Sequence, residues 1–566
     1  MRTVRLEAAI RRITDLARFA ALLATIALPP ITAPLPAQAR CGTVVVPVGL
    51  GQGGGSDITS LNPLLILSAY NAGAWNLLFR PLVTLDAQLR VDLARSMASR
   101  IERDPSGLAW TITLRETDWS DGVPVTADDV VYCFELIRRL GQTYNSYGAG
   151  GLPDAFDAVV ATDAHTLRIT LTEPLSPALF TTVALPLLHA LPRHAWKTDS
   201  IDALWARQSD PHFYDVVDGA WRLERWTLGR ELVLVPNDRY AGPDRPQIDR
   251  FVMSFLDNDQ MLAAYRSGAV DAINMPYLLY DAVRHLPDTR IERGGKPYAY
   301  SYIGLNFANP STAFFRDPRV RQAIADAIDQ REIIDLIFHG NATPAYGPVP
   351  SEPDTFLSPE AKSGRLPVGY DPTHARALLD AAGWHPGPDG IRVKDGARLS
   401  FTTLLSAGGG VGAPQLEIIE QNLRAVGIEL HIRQVQFNQL LATINGPSTG
   451  WEAYNLIWNL TGFPDGAETY SSTGFNNLGH YHDAEMDRLT AAERTDPTLD
   501  SLFAFQDRAV EQQPIIVLPH YGYAILARSG VTGWSHYVTP LGGLHPEALR
   551  ITDPRRCTAN APDRPL

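Results

Sequence analysis

The sequence predicts a mixed α/β fold, and two observations support this class. Segments that alternate apolar and polar residues, as half-buried strands do, are interspersed along the chain with segments of helical periodicity. The chain has no repeat with a period of about 20–50 residues and no low-complexity tract, which argues against a solenoid or a propeller. At 566 residues it is long enough for two or three domains.

The clearest local signal is the stretch LRETDWSDGVPVTADDVVYCFELIRRL at residues 114–140. The preceding residues 110–114 alternate as a strand does, and Asp121-Gly122 supplies turn chemistry. Thr126 is a good helix N-cap, and Asp129 stands three residues later, where a capping box needs an acceptor. Every feature here serves folding, so we predict a strand, a turn and a scaffold helix without a functional site.

The same reasoning assigns the remaining elements. The strands predicted from alternation are 166–171, 231–235, 300–307, 399–405, 429–434 and 515–519. The helices predicted from apolar periodicity are 320–339, 372–382, 414–426, 483–494 and 498–512. Between residues 271 and 302 the pattern loosens into the polar run RGGKPYAY, where we expect the chain to cross between two lobes. A second crossing is expected near His520-Tyr521-Gly522.

The N-terminus predicts a cleaved secretory signal peptide, residues 1–39. Basic residues precede an apolar run at 19–28, and Ala37-Gln38-Ala39 is a small-x-small cleavage site. Cys41 is not expected to carry a lipid, because Arg40 stands where a lipobox needs a small residue. We find no second apolar stretch of the roughly 20 residues that a membrane span needs. The mature chain is therefore expected to be exported and not to be a lipoprotein.

The net charge indicates which partners to exclude, and the cysteines indicate one disulfide and one free thiol. A net charge of −13 argues against nucleic acid and anionic membranes. Of the three cysteines, Cys41 and Cys557 stand near the two ends of the mature chain. In an oxidising compartment we expect them to form a disulfide. Cys133 is spaced with the apolar face of its helix and is expected to be a buried thiol.

No catalytic or cofactor motif is convincing. No HExxH or GxSxG motif stands in a convincing context. Gly49, Gly51 and Gly54 have dinucleotide-fingerprint spacing, but no helix opens after them, so no cofactor is predicted. His480 and His482 could bind a metal from a strand face, although a polar surface is the commoner setting, and no metal is predicted.

The best candidate for a recognition surface is the aromatic-rich block TGWEAYNLIWNLTGFPDGAETYSSTGFNN at residues 449–477. It mixes Trp, Tyr and Phe with Asn, Thr and Asp outside any regular periodicity. Binding pockets combine aromatic walls with a few placed polar groups. The alternative is an aromatic core segment with a turn at Pro464-Asp465-Gly466.

The block TLRETDWSDGVPVTADDVVYCFELI resembles the signature of the extracellular solute-binding proteins, family 5, which serve oligopeptide, dipeptide and nickel ABC transporters. Further blocks resemble the same family in the expected order, among them LNPLL, LFRPLVTLDAQLRVDLARSMAS, VVDGAWRLERWTLGRELVLVPNDRY, YIGLNFANP, DPRVRQAIADAID, YDPTHARALLDAAGW, IEQNLRAVGIEL and PIIVLPHYGYAILARSGVTGW. The resemblance covers some 500 residues, nearly the whole mature chain.

The resemblance implies a two-lobed periplasmic-binding-protein clamshell, type II, of the three-subdomain variety with two hinge strands. Lobe I would comprise residues 40–297, with an accessory subdomain at about 75–205, and the C-terminal return 520–566; lobe II would comprise 298–519. The implied function is that of a periplasmic monomer, not an enzyme, which captures peptides or peptide-like solutes. It would deliver them to ABC permease subunits in the inner membrane.

One departure bears on the ligand. Peptide-binding members of the family carry a Trp-x-x-Asp whose carboxylate pairs with the α-ammonium of the peptide, and this chain has Trp458-Asn459-Leu460-Thr461 instead. Asp465 could substitute, or the ligand could be a non-peptide such as an opine, an oligosaccharide or a metal chelate. A secreted hydrolase is the alternative from another class. The predicted ligand contacts, carried over from the family or chosen by composition, are Asn62, Asn306, Trp458, Asn459, Thr461, Phe463 and Asp465.

Overall fold

A computed structural model describes residues 40–51, 57–66, 68–198, 200–408 and 410–557. The predicted signal peptide and its cleavage site at residue 39 lie outside these ranges. Within them, no helix combines the length and the apolar character needed to cross a bilayer.

Two sheets are built from the first part of the chain together with its C-terminal return. The four-stranded sheet has the order Thr43–Pro47, Arg250–Ser254, Glu231–Pro236, Trp221–Thr227, and its first pair is parallel. The three-stranded antiparallel sheet has the order Thr289–Arg293, Ala524–Arg528, Ala272–Asn274. The C-terminal strand 524–528 thus returns to a sheet whose other strands precede residue 294.

A separate antiparallel sheet lies within the predicted accessory subdomain, and the helix Ala127–Leu140 packs on it. Asp129 Oδ2 accepts a hydrogen bond of 2.9 Å from the backbone N–H of Thr126, which is the predicted capping interaction. Cys133 is fully buried on this helix, as expected. The sheet order is Ala98–Arg103, Ala109–Leu114, Thr166–Leu171, Phe156–Asp163.

A five-stranded mixed sheet forms the core of the predicted second lobe. Its middle strand Ala453–Asn459 runs antiparallel to Ala299–Leu305 and parallel to Ser400–Ser406. The sheet order is Glu429–Val435, Ser400–Ser406, Ala453–Asn459, Ala299–Leu305, Ile515–Val517.

The chain passes between these sheets twice. The first passage lies between Thr289–Arg293 and Ala299–Leu305, and the second lies between Ile515–Val517 and Ala524–Arg528. The exact lobe boundaries expected at 297/298 and 519/520 stay predictions. This mixed α/β arrangement is the two-lobed clamshell that the sequence predicted.

Short strands and the helices complete the fold. The short strands are Ala342–Thr343, His385–Pro386, Arg392–Lys394, Ala397–Arg398, His520–Tyr521, Val531–Thr532 and Arg550–Ile551. The α-helices are Ala69–Leu78, Ala127–Leu140, Pro177–Leu179, Arg193–Trp196, Ile201–Arg207, Asn258–Ser267, Tyr280–Val283, Pro318–Ala327, Gln330–Leu336, Pro359–Ser363, Pro372–Ala381, Gly412–Ala425, Phe437–Ile444, Ala484–Glu493 and Asp500–Gln512. A π-helical turn spans Phe180–Ala184.

The predicted elements are present with ends shifted by a few residues, with one exception. The single helix predicted over 320–339 is wrong, because Pro318–Ala327 and Gln330–Leu336 are separate helices. Asp329 interrupts them: its backbone N–H donates to Asn422 Oδ1, and its side chain caps the second helix by accepting from Glu332 N. Apolar periodicity continues across the break and conceals it.

A disulfide joins Cys41 and Cys557, the pair expected from the sequence, across a separation of 516 residues. The adjoining Arg556 donates to the Thr43 carbonyl and pairs with the fully buried Asp271 at 2.9 Å. Covalent and ionic contacts therefore fasten the C-terminal return to the first strand of the chain.

Candidate functional site

The strand Ala453–Asn459 has an edge that is only partly paired. Leu460 N donates a hydrogen bond to Tyr298 O. Because hydrogen-bonded pairs alternate along an antiparallel ladder, the even-numbered residues of this strand hydrogen-bond to Ala299–Leu305, and the peptide groups of the odd-numbered residues point to the other side. On that side the pairing with Ser400–Ser406 covers only Ala453 and Tyr454. No described residue pairs with the peptide groups of Ile457 and Asn459 there.

Exposed apolar side chains flank this free edge. Ile457 is 50% exposed and Phe475 is 71% exposed. The Phe475 ring contacts the partly buried ring of Trp458 at a centroid distance of 6.0 Å. Asn459 is exposed at the end of the strand. The edge therefore presents main-chain donors and acceptors between apolar walls.

Sequence reasoning chose Trp458 and Asn459 here but did not single out Ile457 or Phe475. Phe475 lies in the aromatic block, where its exposure cannot be distinguished from that of the other aromatic residues. In the sequence, Ile457 looks like any other strand residue. Only the strand register shows that no neighbouring strand of the described ranges pairs with it on one side.

The loop that follows the strand turns back on itself. The Thr461 hydroxyl donates to the Phe463 carbonyl at 2.6 Å, and Thr461 is exposed. Phe463 is 1% exposed and packs edge-on against Phe356 with ring centroids 5.7 Å apart. Among the predicted contacts, Phe463 thus anchors the loop from inside, whereas Thr461 lies on its surface.

Gly462 brings this loop against the predicted accessory subdomain. A Cβ atom at Gly462 would lie 2.1 Å from the Thr182 carbonyl oxygen and 2.8 Å from Leu85 Cδ1. Two contacts further along extend the same junction: Ser176 N donates to Arg494 O at 2.8 Å, and Arg494 pairs with Glu173 at 3.2 Å. Only glycine permits so close an approach of the loop to Thr182.

Two carboxylates lie behind the loop. Asp465 is partly buried and accepts from Ala467 N at 3.2 Å; burial raises its pKa, and the Arg494 charge opposes this rise. Glu493 is 1% exposed and accepts from Gly466 N at 2.9 Å. Burial, and then the charge of Asp465, raise the pKa of Glu493 well above its usual range. The two acids thus repel each other, and a nearby cation would stabilise the charged form of both.

Asn62 and Asn306 lie elsewhere and are held by internal contacts. Asn306 is fully buried, and its amide donates to the carbonyls of Ser448 and Trp451 at 2.7 and 2.9 Å, while its oxygen accepts from two backbone N–H groups. Asn62 is fully buried, and its side-chain oxygen accepts from Leu64 N at 2.9 Å. A ligand role for either stays a prediction, and for Asn306 it would require giving up an internal bond.

The remaining motifs do not join this site. Gly51 N donates to Asn274 Oδ1, whereas Gly54 lies outside the described residues. His480 and His482 lie in a segment without strand structure, so the strand-face geometry considered for a metal is not present. Within the described ranges no three His, Cys, Asp or Glu residues converge as metal ligands do.

Comparisons with solved structures agree with the clamshell class. The oligopeptide-binding protein AppA of Bacillus subtilis in complex with a nonapeptide matches with a TM-score of 0.68 at 23% identity, over 91% of this chain and all of that one. NikA of Brucella suis in complex with Fe(III)-EDTA matches with a TM-score of 0.73 at 21% identity, over 90% and 99% of the two chains. At these identities the likeness defines the fold.

The sequence comparisons define the family. The family described as bacterial extracellular solute-binding proteins, family 5, matches residues 92–478, and this chain belongs to that family. AppA of Bacillus subtilis is 27% identical over 451 residues, which are 77% of this chain and 80% of AppA. Protein XP55 of Streptomyces lividans is 29% identical over 458 residues, 78% and 76% of the two chains. The resemblance read from the sequence blocks is thereby confirmed.

Proposed function

We propose that this protein is the periplasmic substrate-binding component of an ABC importer, capturing peptides and delivering them to inner-membrane permease subunits. Family membership and relatives named as oligopeptide-binding proteins support the class of ligand. The observation that carries the proposal is the free edge at Ile457 and Asn459.

The free edge suits a peptide main chain. An extended peptide added to the edge would exchange hydrogen bonds with the peptide groups of Ile457 and Asn459, which supplies affinity independent of side-chain identity. Trp458, Phe475 and the Ile457 side chain would cover the apolar parts of the ligand. Thr461 and Asn459, both exposed, would offer further polar contacts.

The α-ammonium of the peptide needs a partner other than Thr461, which carries no charge. Asp465 is the proposed partner, because its carboxylate lies four residues along the same loop. An ammonium beside Asp465 would offset its repulsion with Glu493. On this view the acidic pair behind the loop replaces the single aspartate of the family motif.

The lobes proposed to close over the ligand are 40–297 with 520–566, and 298–519, with the accessory subdomain at about 75–205. The segments 294–298 and 518–523 would act as hinges. The Gly462 contact with Thr182 would form on closure. Ligand binding excludes water and stabilises the closed form, which a permease can recognise. The protein acts as a monomer, without a cofactor and without covalent chemistry.

The proposed route to the periplasm is export through the signal peptide 1–39, with cleavage after Ala39 and no lipid on Cys41. The disulfide of Cys41 accords with an oxidising compartment.

Native mass spectrometry of the protein purified from its own host tests this proposal. Comparison with the denatured mass gives the mass of retained ligand. Many ligand masses that fragment as peptides would support a sequence-tolerant peptide binder. One recurring non-peptide mass would overturn the peptide proposal and identify the ligand. The denatured mass also reports cleavage before Arg40 and the disulfide.

Thr461 favours a second candidate on the same scaffold, a non-peptide solute such as an opine, an oligosaccharide or a metal chelate. Two variants separate the candidates. Asp465→Asn should weaken binding of free-amino peptides about tenfold or more but leave N-acetylated peptides unaffected, because only the former carry the ammonium. Glu420→Gln, which removes an exposed carboxylate on the helix Gly412–Ala425, is the control. If Asp465→Asn affects neither peptide, Asp465 is not the ammonium partner.

A further inference from the structure

A second concave site lies in the part of the chain that forms the predicted second lobe. It is separate from the strand edge and loop described above. The groove has a volume of about 490 Å³. Its polar and aromatic lining consists mainly of Phe307, Arg316, Arg321, His480, Tyr481 and His482.

Arg321 forms the floor of this groove and is 3% exposed. Its guanidinium lies 5.4 Å from the centre of the Phe307 ring and 5.8 Å from that of Tyr481. Nε donates to the Gln512 carbonyl and Nη1 to the Phe315 carbonyl, at 2.8 and 2.6 Å. These contacts hold the guanidinium in one orientation, and Nη2 has no hydrogen-bond acceptor among the described residues.

Arg316 forms part of the rim and is exposed. Its Nε donates to the Phe307 carbonyl at 2.9 Å, which directs the side chain over the same segment. Neither Nη atom has an acceptor among the described residues. Together the two arginines leave about six N–H bonds available, since each Nη atom carries two.

The acidic side chains nearest to these arginines already accept hydrogen bonds from other groups. Asp483 lines the groove, but its oxygens accept from Arg508, from the Tyr481 hydroxyl and from two backbone N–H groups. Asp317 is held by Arg319 through both oxygens. No described carboxylate lies within 4.0 Å of a nitrogen of Arg316 or Arg321 as an ion pair. A buried cation without a carboxylate is costly, and an anion in the groove would offset that cost.

We propose that this groove binds a phosphate group, either free in solution or borne by a small solute, between Arg316, Arg321 and the imidazoles of His480 and His482. The arginine fork matches the geometry of phosphate oxygens, and imidazole N–H groups can donate to the remaining ones. The site is independent of the proposed peptide function, because neither arginine belongs to the strand edge or its loop.

Isothermal titration of the full mature protein with inorganic phosphate tests the inference. The titration should be made at an ionic strength of about 0.01 M, where screening is weak. We expect saturable binding that Arg316→Gln and His482→Gln each weaken, the former by about tenfold. Arg316 is exposed, so its variant should keep the melting temperature of the wild type without phosphate. Arg488→Gln is the control, because it removes the same charge from an exposed arginine already paired with Glu485.

Absence of saturable binding in the wild type would overturn the proposal. Equal losses in Arg488→Gln and Arg316→Gln would also overturn it, because they would indicate a general charge effect. A second arm uses phosphatidylglycerol vesicles, with phosphatidylcholine vesicles as the reference. Binding of free phosphate without phosphatidylglycerol-dependent vesicle binding would identify a soluble ligand, as expected from a concave groove. Binding to the anionic vesicles alone would overturn the proposal of a small phosphate ligand.

Discussion

Substitution of Gly462 by alanine tests whether the loop at 459–466 closes against the segment that contains Thr182. The added Cβ would lie 2.1 Å from a backbone carbonyl oxygen and 2.8 Å from a Leu85 methyl carbon. The carbonyl belongs to the π-helical turn Phe180–Ala184 and cannot rotate away as a side chain could. Overpacking of this kind costs about 1–3 kcal/mol.

If the contact forms only on closure, the cost falls on the ligand-bound state alone. The affinity for ligand should then decrease by about 5- to 150-fold, since about 1.4 kcal/mol corresponds to tenfold. The melting temperature of the ligand-free protein should hardly change. Titration calorimetry with the peptides recovered from the native protein measures the first quantity, and thermal unfolding of the stripped protein measures the second.

Gly450→Ala is the matched control, because a Cβ atom at Gly450 meets no other atom within 4 Å. It should leave both affinity and melting temperature unchanged. The reasoning is refuted if Gly462→Ala binds peptide as tightly as the wild type. It is also refuted if the ligand-free variant is destabilised by the full cost, because the contact would then be permanent and not a feature of closure.

Three further predictions concern stability. Burial raises the pKa of Glu493, so the folded protein retains a proton that the unfolded chain loses above about pH 4.5. The free energy of unfolding should therefore fall as the pH rises from there. Glu493→Gln should reduce this dependence of stability on pH in melting curves recorded to about pH 9. Replacement of both Cys41 and Cys557 by serine should lower the free energy of unfolding by about 2–5 kcal/mol in denaturant titrations, because the disulfide closes a very long loop; an unchanged midpoint would show that ionic contacts suffice. Asn306→Ala should lower the melting temperature, because buried partners lose their bonds, whereas Asn459→Ala should lower only ligand affinity. The reverse pattern would show that the internal bonds of Asn306 do not stabilise the fold.

Local chemistry made much of the fold predictable. The Thr126–Asp129 capping pair and the alternating strand 166–171 appear where the sequence placed them, because caps and periodicity act within a few residues. The break at Asp329 was missed because its cause is a contact with Asn422, 93 residues away. Family resemblance or composition predicts Asn306 as a ligand contact, and its internal bonds become visible only once residues 448–451 are placed beside it.

The site was less predictable because it depends on contacts between residues that lie far apart in the sequence. The free edge at Ile457 is a property of three strands: it depends on Ser400–Ser406 leaving Ala453–Asn459 after Tyr454. Likewise the need for glycine at position 462 depends on a carbonyl 280 residues earlier in the chain. Residue type could indicate an aromatic, polar surface at 449–477, but not which of its members remain exposed.

An unpaired strand edge inside a large protein needs a physical explanation, because such edges invite pairing with other chains. Here the edge is short, since it consists of the peptide groups of Ile457 and Asn459, and the loop that follows turns to meet Leu85 and Thr182. A ligand admitted to this edge must therefore be narrow and extended. Main-chain pairing would hold it without selecting its side chains, whereas a charged group near Asp465 would fix its direction. Under the proposed function, main-chain pairing would let the protein accept many peptides, and the charge near Asp465 would hold each of them in one register.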